Sequence, residues 1–352
     1  MDKANINIKD IAKLAGVSVT TVSRIINNTG EVKESTCQRV KEVIKEYNYV
    51  PNNSARNLKR IQSNAICVLT KGIANPAFSD MLSIIQKKSL GYSYDVMIQQ
   101  IDQYEDELDV AIAQMKEKRL KGIILLGGTL KNQGNKFSEL NTPLVMVTSN
   151  AVENIQADEY SSITIDDRKA AYEAVKYLLG LGHQKIAMIT SELSSAGIMK
   201  LRMEGYMAAL KEAGIKADPN LVVNADNFSM KSGYDAFVRL NEANRGKFTA
   251  VFAMADTLAI GCLRAARDAG MSLPDDLSVI GFDGLDMGRY YVPSITTVKQ
   301  PFSYMAEQAM DMMFCLLDGE KNSHRMLDAE IVERESCAGI SRSAGESGEV
   351  DV

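Results

Sequence analysis

Thr20 and Arg24 stand one helical turn apart in the run Ser18-Val-Thr-Thr-Val-Ser-Arg24. An arginine can donate two hydrogen bonds to the edge of a guanine. A threonine can bond to a base or touch a thymine methyl. On a helix, Val19, Thr20, Thr21, Ser23 and Arg24 share the exposed face, so the chemistry they offer is reading base edges rather than making bonds. Bond-making groups are scarce. The two histidines, His183 and His324, are too few and too far apart in sequence for a zinc site or histidine-based hydrolysis. No GxxxxGK[ST], GxSxG or HExxH occurs, and no GxGxxG follows a strand. Cys37, Cys67, Cys262, Cys315 and Cys337 form no CxxC, a usage that fits free thiols in a reducing cytoplasm. We therefore expect a binding protein, with neither catalytic residues nor a metal or cofactor.

The elements that must position these residues are legible from pattern. Asn7 is a good N-cap for a helix with Ile8, Ile11, Ala12 and Ala15 on one face. Gly16 breaks it, and Ser18 caps a second helix whose Val22, Ile25 and Ile26 turn inward. After loop chemistry at 27–30, Cys37, Val40, Ile44 and Tyr47 fall at helical spacing. Two helices joined by a tight glycine-containing turn describe a helix-turn-helix. Charge supports this: residues 1–60 carry 11 Lys/Arg against 6 Asp/Glu, while the whole chain of 352 residues has a net charge of −5. A basic head on an acidic body is expected when one end meets a polyanion. Pro51-Asn-Asn punctuates the chain, and residues 54–60 form a segment too short to be a stable isolated helix.

From residue 64 apolar runs of strand length alternate with helical stretches. The runs are Ala65–Thr70, Val96–Ile101, Gly122–Leu126 and Leu144–Thr148, then Ile186–Thr190, Leu221–Val223, Ala250–Ala253 and Leu277–Gly281. Strands apolar throughout, between helices, predict parallel sheets covered on both faces, here in two doubly wound lobes with a cleft between them. Ser341–Val352 is rich in Ser, Gly and Glu and is expected to be disordered. Neither a signal-peptide pattern nor a membrane-length apolar run is present, so a cytoplasmic location is expected.

The order of motifs resembles the lactose/galactose/purine repressor (LacI/GalR) family of bacterial transcription regulators. Ile8-Lys-Asp-Ile-Ala-Lys-Leu-Ala-Gly-Val-Ser-Val-Thr-Thr-Val-Ser-Arg24 is similar to its helix-turn-helix, and Tyr49-Val-Pro-Asn-Asn-Ser-Ala-Arg-Asn-Leu58 to its hinge helix. Leu181-Gly-His-Gln-Lys-Ile186, Leu201-Arg-Met-Glu-Gly-Tyr206, Gly281-Phe-Asp283 and Ser294-Ile-Thr-Thr-Val-Lys-Gln-Pro301 resemble landmarks of its effector-binding core. The resemblance implies an α plus α/β chain: a three-helix head over 1–50, a hinge helix over 51–62 and a core over 63–340 like periplasmic sugar-binding proteins. The implied N-lobe is about 63–162 plus 294–327, and the C-lobe about 163–293 plus 328–340.

Implied partners are a palindromic DNA operator, a second copy of the chain and a small effector. Of the DNA-facing residues, Ser18, Val19, Thr20, Thr21, Ser23 and Arg24 belong to the recognition helix. Val19 is apolar where relatives often carry a polar residue, so it would read by methyl contact. Asn7, Asn27, Lys33, Thr36 and Tyr49 lie at helix starts or loops, where phosphate contacts are usual. Lys33 departs from a common Ser and either contacts phosphate or stays a surface lysine. Asn52, Ala55, Arg56 and Leu58 belong to the hinge, with Leu58 either a minor-groove wedge or packed on the core.

Effector contacts carry over to Phe78, Thr148, Arg202, Phe228 and Asp283. A donor fork, a carboxylate and an aromatic face together suit a sugar, and could also hold a nucleobase or nucleoside. Ala255 replaces an Asn common in relatives, and Gly284 follows Asp283 where many carry Asp or Asn. Asp256 reads as the N-cap of a helix starting near Leu258, and His183 as a turn residue before a strand. The tail lacks a leucine heptad, so a dimer rather than a tetramer is expected. A transport-type binding protein and an enzyme on a two-lobed frame are the competing readings. The first leaves residues 7–60 unexplained, and the second lacks a catalytic constellation.

Overall fold

The computed structural model describes residues 7–27, 32–47, 64–71, 76–102, 105–130, 133–149, 155–191 and 197–340; the side chains of Asn27 and of residues 133–135 are outside that description. Tyr49, Asn52, Ala55, Arg56, Leu58, the expected hinge and the expected tail lie outside the described residues. The chain divides into two units, 1–63 and 64–352.

In the first unit three helices bury one small apolar centre. They are α1 (Ile8–Leu14), α2 (Val19–Asn27) and α3 (Glu34–Glu46). Ile11, Ala12, Ala15, Val22, Ile25 and Val40 are buried together, with Ile8, Ile26, Cys37, Ile44 and Tyr47 packed around them. Asn7 and Asp10 close a capping box at the start of α1. Gly16, at φ +65°, supplies the left-handed residue that turns α1 into α2.

The second unit holds two six-stranded sheets. The N-lobe sheet comprises β1 (Ala65–Lys71), β2 (Asp95–Ile101), β3 (Gly122–Leu126), β4 (Leu144–Val147), β5 (Ser161–Ile165) and β11 (His324–Leu327). Its order is β11-β5-β4-β3-β1-β2, all parallel. The C-lobe sheet comprises β6 (Ile186–Ser191), β7 (Val222–Ala225), β8 (Ala250–Ala253), β9 (Ser278–Asp283), β10 (Thr296–Lys299) and β12 (Glu330–Val332). Its order is β12-β10-β9-β8-β6-β7, with β12 antiparallel to β10. Helices α4 (Ala77–Leu90), α5 (Glu107–Lys118) and α10 (Phe302–Leu317) belong to the N-lobe. Helices α6 (Asp167–Gly180), α7 (Gly197–Glu212), α8 (Met230–Asn244) and α9 (Asp256–Asp268) belong to the C-lobe. The fold class is therefore the one expected: a three-helix head and a two-lobed, doubly wound α/β core.

The chain crosses between lobes after β5, after β10 and between β11 and β12. Two of the expected lobe boundaries shift. β5 carries the N-lobe to Ile165, beyond 162, and β10 keeps residues 296–299 in the C-lobe, so the return comes near 300 rather than 294. Both strands escape an apolar-run search because they are rich in Ser and Thr. Their hydroxyls are buried but partnered: Ser161 Oγ donates to Asn322 at 2.9 Å, Ser162 bonds with His324 at 2.8 Å, and Thr297 donates to Asp256 at 2.6 Å. Partnered hydroxyls carry little penalty in a core.

Helix pairs in the C-lobe approach closely at glycines. A Cβ on Gly205 would lie 2.2 Å from the Arg168 carbonyl oxygen, and one on Gly261 2.0 Å from that of Met230. These glycines let α7 seat on α6 and α9 on α8.

Candidate functional site

In the head, Ser18 caps α2: its Oγ accepts from Thr21 N at 3.1 Å and lies 2.8 Å from Thr21 Oγ1. That bond fixes the start of the helix and turns Val22 and Ile25 into the small core. Val19, Thr20 and Arg24 are exposed, while Thr21 and Ser23 are half-buried. The face that would read base edges is thus Val19, Thr20 and Arg24, with Thr21 serving the cap. Asn7 accepts from Lys9 N at 2.9 Å in its capping box. Lys33, the N-cap position of α3, is exposed and makes no side-chain cap bond; Thr36 is half-buried in the first turn of that helix. Asn27 ends α2.

In the core, Thr148 follows β4 and Asp283 closes β9, both at the C-terminal ends of parallel strands. Met199, Arg202, Tyr206 and Ala209 form the buried face of α7. Arg202 is 3% exposed. Its Nε donates to Asp167 Oδ1 at 2.8 Å and its Nη1 to the Met254 carbonyl at 2.7 Å. The guanidinium lies over the Phe282 ring, 3.6 Å from the centroid, and Nη1 is 4.0 Å from Asp283 Oδ1. Asp167, the first residue of α6, was not singled out by sequence reasoning, because it looks like a helix-start carboxylate. Burial raises its carboxyl pKa, and the Arg202 charge opposes that rise. A desolvated pair of this kind costs about 3–5 kcal/mol when one partner is removed.

Asp283 closes β9 at φ +115°, a conformation rare outside glycine, and is buried. Gln300 holds it with two bonds: its Nε2 donates to Asp283 Oδ1 at 2.8 Å and its backbone N to the Asp283 carbonyl at 3.1 Å. Gly284 follows at φ +78°, and a Cβ there would lie 2.6 Å from Lys299 Cα. The glycine at 284 thus has a local cause: the β9 end runs close against β10.

Asp256 departs from its expected role. Helix α9 starts at Asp256 itself, and Ala255 at the N-cap position makes no side-chain cap bond. The Asp256 carboxylate instead accepts from Leu285 N at 2.6 Å and Thr297 Oγ1 at 2.6 Å, tying α9 to the end of β9 and to β10. Burial and the neighbouring Asp283 carboxylate push its carboxyl up to about 8, against the opposing pull of those two hydrogen bonds. His183 is structural: its ring bonds with Thr249 Oγ1 at 2.9 Å and with the Ala338 carbonyl at 3.1 Å, pinning the end of the core.

On the N-lobe side, Phe78 lies in the first turn of α4 and its ring sits over Gly127, where a Cβ would lie 3.0 Å from the ring edge. Thr148 follows β4 at φ +62° and donates its N–H to Ile163 O at 3.0 Å. Phe228 is half-buried, and its carbonyl accepts from Thr257 Oγ1 at 2.5 Å. The lobes approach at Gly197, where a Cβ would lie 2.8 Å from Thr129 Cγ2. Of the five effector candidates, the structure joins Arg202 and Asp283 in one buried cluster, with Asp167 as their unforeseen companion. Ser191, at the end of β6, adds a buried hydroxyl without a hydrogen-bond partner among the described residues. Among those residues no group of three or more His, Cys, Asp or Glu could hold a metal ion.

Residues 7–52 match the family described as bacterial regulatory proteins, lacI family, and residues 175–337 match the periplasmic binding protein-like domain. The transcriptional regulator MalR of Clostridium butyricum is 42% identical over 95% of this chain and 100% of its own length. The chain belongs to the LacI family of bacterial transcriptional regulators. The repressor CytR of Escherichia coli strain K12 is 30% identical over 94% of this chain and 95% of that protein. The lac repressor dimer bound to operator and the anti-inducer ONPF superposes with a TM-score of 0.73, at 26% identity over 95% of this chain and 99% of that one. A CelR–cellobiose complex shares the fold at a TM-score of 0.70 and 24% identity, covering 94% of this chain and 100% of that one. This LacI-family chain is a DNA-binding regulator, and no helix among its described residues is long and apolar enough to cross a membrane.

Proposed function

We propose that this regulator is a cytoplasmic, homodimeric repressor that releases or grips a palindromic operator according to a small uncharged ligand, a sugar by preference, held between the core lobes. The observation that carries the ligand reading is the buried cluster of Arg202, Asp167 and Asp283, with two of its members 4.0 Å apart. Burying such groups is costly without compensation, so their burial together beside the end of β9 fits a site that hydrogen-bonds a polar ligand. Asp283 would accept from ring hydroxyls, the outer edge of Arg202 would donate, Phe228 and Phe78 would supply apolar faces, and Ser191 would gain a partner that it lacks among the described residues. Similarity to a lac repressor solved with operator and ONPF supports a small-molecule ligand. Ala255 brings no amide to the site, which keeps a nucleobase or nucleoside as the second reading. The chain acts by binding in either case.

A ligand that touches both lobes favours one lobe arrangement and shifts the equilibrium only by its difference in affinity. The N-lobe follows the connecting residues 48–63 directly, so lobe arrangement is the quantity that can reach the DNA-binding unit. The test is an operator titration with and without maltose, cellobiose, ribose, adenosine or cytidine. One of the sugars should change operator affinity by about 5–150-fold, the usual range of allosteric coupling. Asp283→Ala should abolish that response. A variant responding with an unchanged midpoint would place the ligand elsewhere.

A further inference from the structure

We propose that Gln300 is the residue through which the Asp283 end of the ligand site acts on the relative position of the two lobes. The proposal rests on the ligand reading above and goes beyond it to the transmitting bond. Gln300 is 5% exposed and occupies the second crossing, one residue after β10 ends in the C-lobe and two before α10 begins in the N-lobe. Its amide Nε2 donates to Asp283 Oδ1 at 2.8 Å, and its backbone N–H donates to the Asp283 carbonyl at 3.1 Å. Its own carbonyl accepts from Phe302 N at 2.9 Å, which carries the connection into the first turn of α10. Helix α10 packs on β3, β4, β5 and α4, the body of the N-lobe.

Neighbouring bonds at this strand end lie within the C-lobe. Leu285 N and Thr297 are bonded to the Asp256 carboxylate, and Gly284 N donates to Thr297 Oγ1 at 3.2 Å. The turn after β9 is therefore held to its own lobe, and the Gln300 side chain ties Asp283 to the residue at which the chain leaves β10 for the N-lobe. A ligand hydroxyl that engages Asp283 Oδ1 shares an acceptor already taken by Gln300. Weakening or re-aiming the Gln300 bond changes the backbone at the crossing, where a small φ/ψ change rotates one lobe on the other. Gln300 is thus a positioning residue rather than a ligand contact. Its counterpart at the first crossing is Asp167, which Arg202 holds at 2.8 Å just after β5.

Gln300→Met keeps the volume and removes the amide, and Gln300→Glu puts an acceptor where a donor is needed. Both variants and the wild type would be compared by melting curve, by calorimetric titration with whichever sugar of the panel binds, and by operator titration at saturating sugar. The expected result is ligand affinity within about tenfold of wild type but an operator response reduced to less than about twofold in both variants. A full response at saturation, reached only at higher sugar concentration, would show that Gln300 merely shapes the pocket and would overturn the proposal. A second measurement needs no ligand: spin labels at Lys116 in the N-lobe and Lys247 in the C-lobe report the inter-lobe distance distribution of the free protein. Gln300→Met should shift or broaden it, and an unchanged distribution refutes the tie. If no panel sugar affects the wild type, the sugar reading fails while the spin-label result still decides the role of Gln300.

Discussion

At the scale of single residues, Asp256 makes the sharpest prediction. Its folded pKa of about 8 lies above the ordinary carboxylate range, so the folded state holds a proton that the unfolded state has lost. Stability should then decline as pH rises from about 4 to 8 and level off above, because the unfolded state binds fewer protons throughout that window. Asp256→Asn cannot titrate. Urea unfolding at pH 5, 6.5 and 8 should show wild type losing stability relative to this variant at each step; parallel curves would contradict it. In the head, Arg24→Ala should cost about 1–3 kcal/mol of operator affinity and relax preference at one base pair. Competition against randomised sites measures both. The motif around Arg24 was legible in sequence because capping and apolar spacing are local. The role of Asp256 was not: its partners, Leu285 and Thr297, lie 29 and 41 residues away. An acidic residue near a helix start looks like an N-cap until those partners are known. Asp167 was missed for the same reason, its partner Arg202 being 35 residues on.

Among the elements, the α8–α9 contact depends on backbone proximity. Gly261→Ala would drive a methyl toward the Met230 carbonyl and the Tyr234 amide, at 2.0 and 2.5 Å. Overpacking of this kind costs about 1–3 kcal/mol or more, and backbone neighbours yield less readily than side chains. The urea midpoint should fall without a change in slope. A neutral substitution would mean that the two helices can slide apart freely. Strands with uninterrupted apolar runs were legible, as were the helices between them. β5 and β10 were not, since Ser161, Ser162, Thr296 and Thr297 look like loop residues when their hydroxyl partners are unknown, and β11 and β12 are short strands of exposed or half-buried residues. The misplaced lobe boundaries follow from that omission, for they fall on β5 and β10.

For the whole molecule, charge and symmetry set the expectations. A basic N-terminal unit on an acidic chain should bind its operator with steep salt dependence. Neutralising roughly 6–10 phosphates would lose about 10³–10⁵ in affinity between 50 and 200 mM salt. Filter binding across that range checks the slope. Two-fold heads read palindromes, so light scattering at micromolar concentration should give twice the chain mass of 38.6 kDa. A mass near four chains would exclude the dimer.

The crossings also set an order of assembly. β11 edges the N-lobe sheet and β12 edges the C-lobe sheet, and they are separated by only Asp328 and Ala329. During synthesis the buried residues described in the head are all present once Val40 has emerged. Neither lobe has its last strand until the ribosome has passed residue 327 for one and 332 for the other. The lobes thus reach completion within a few codons of each other, long after the head. A nascent chain carries the head's buried core on a body whose two lobes are both incomplete, and a chain cut short before residue 324 lacks an edge on both lobes at once.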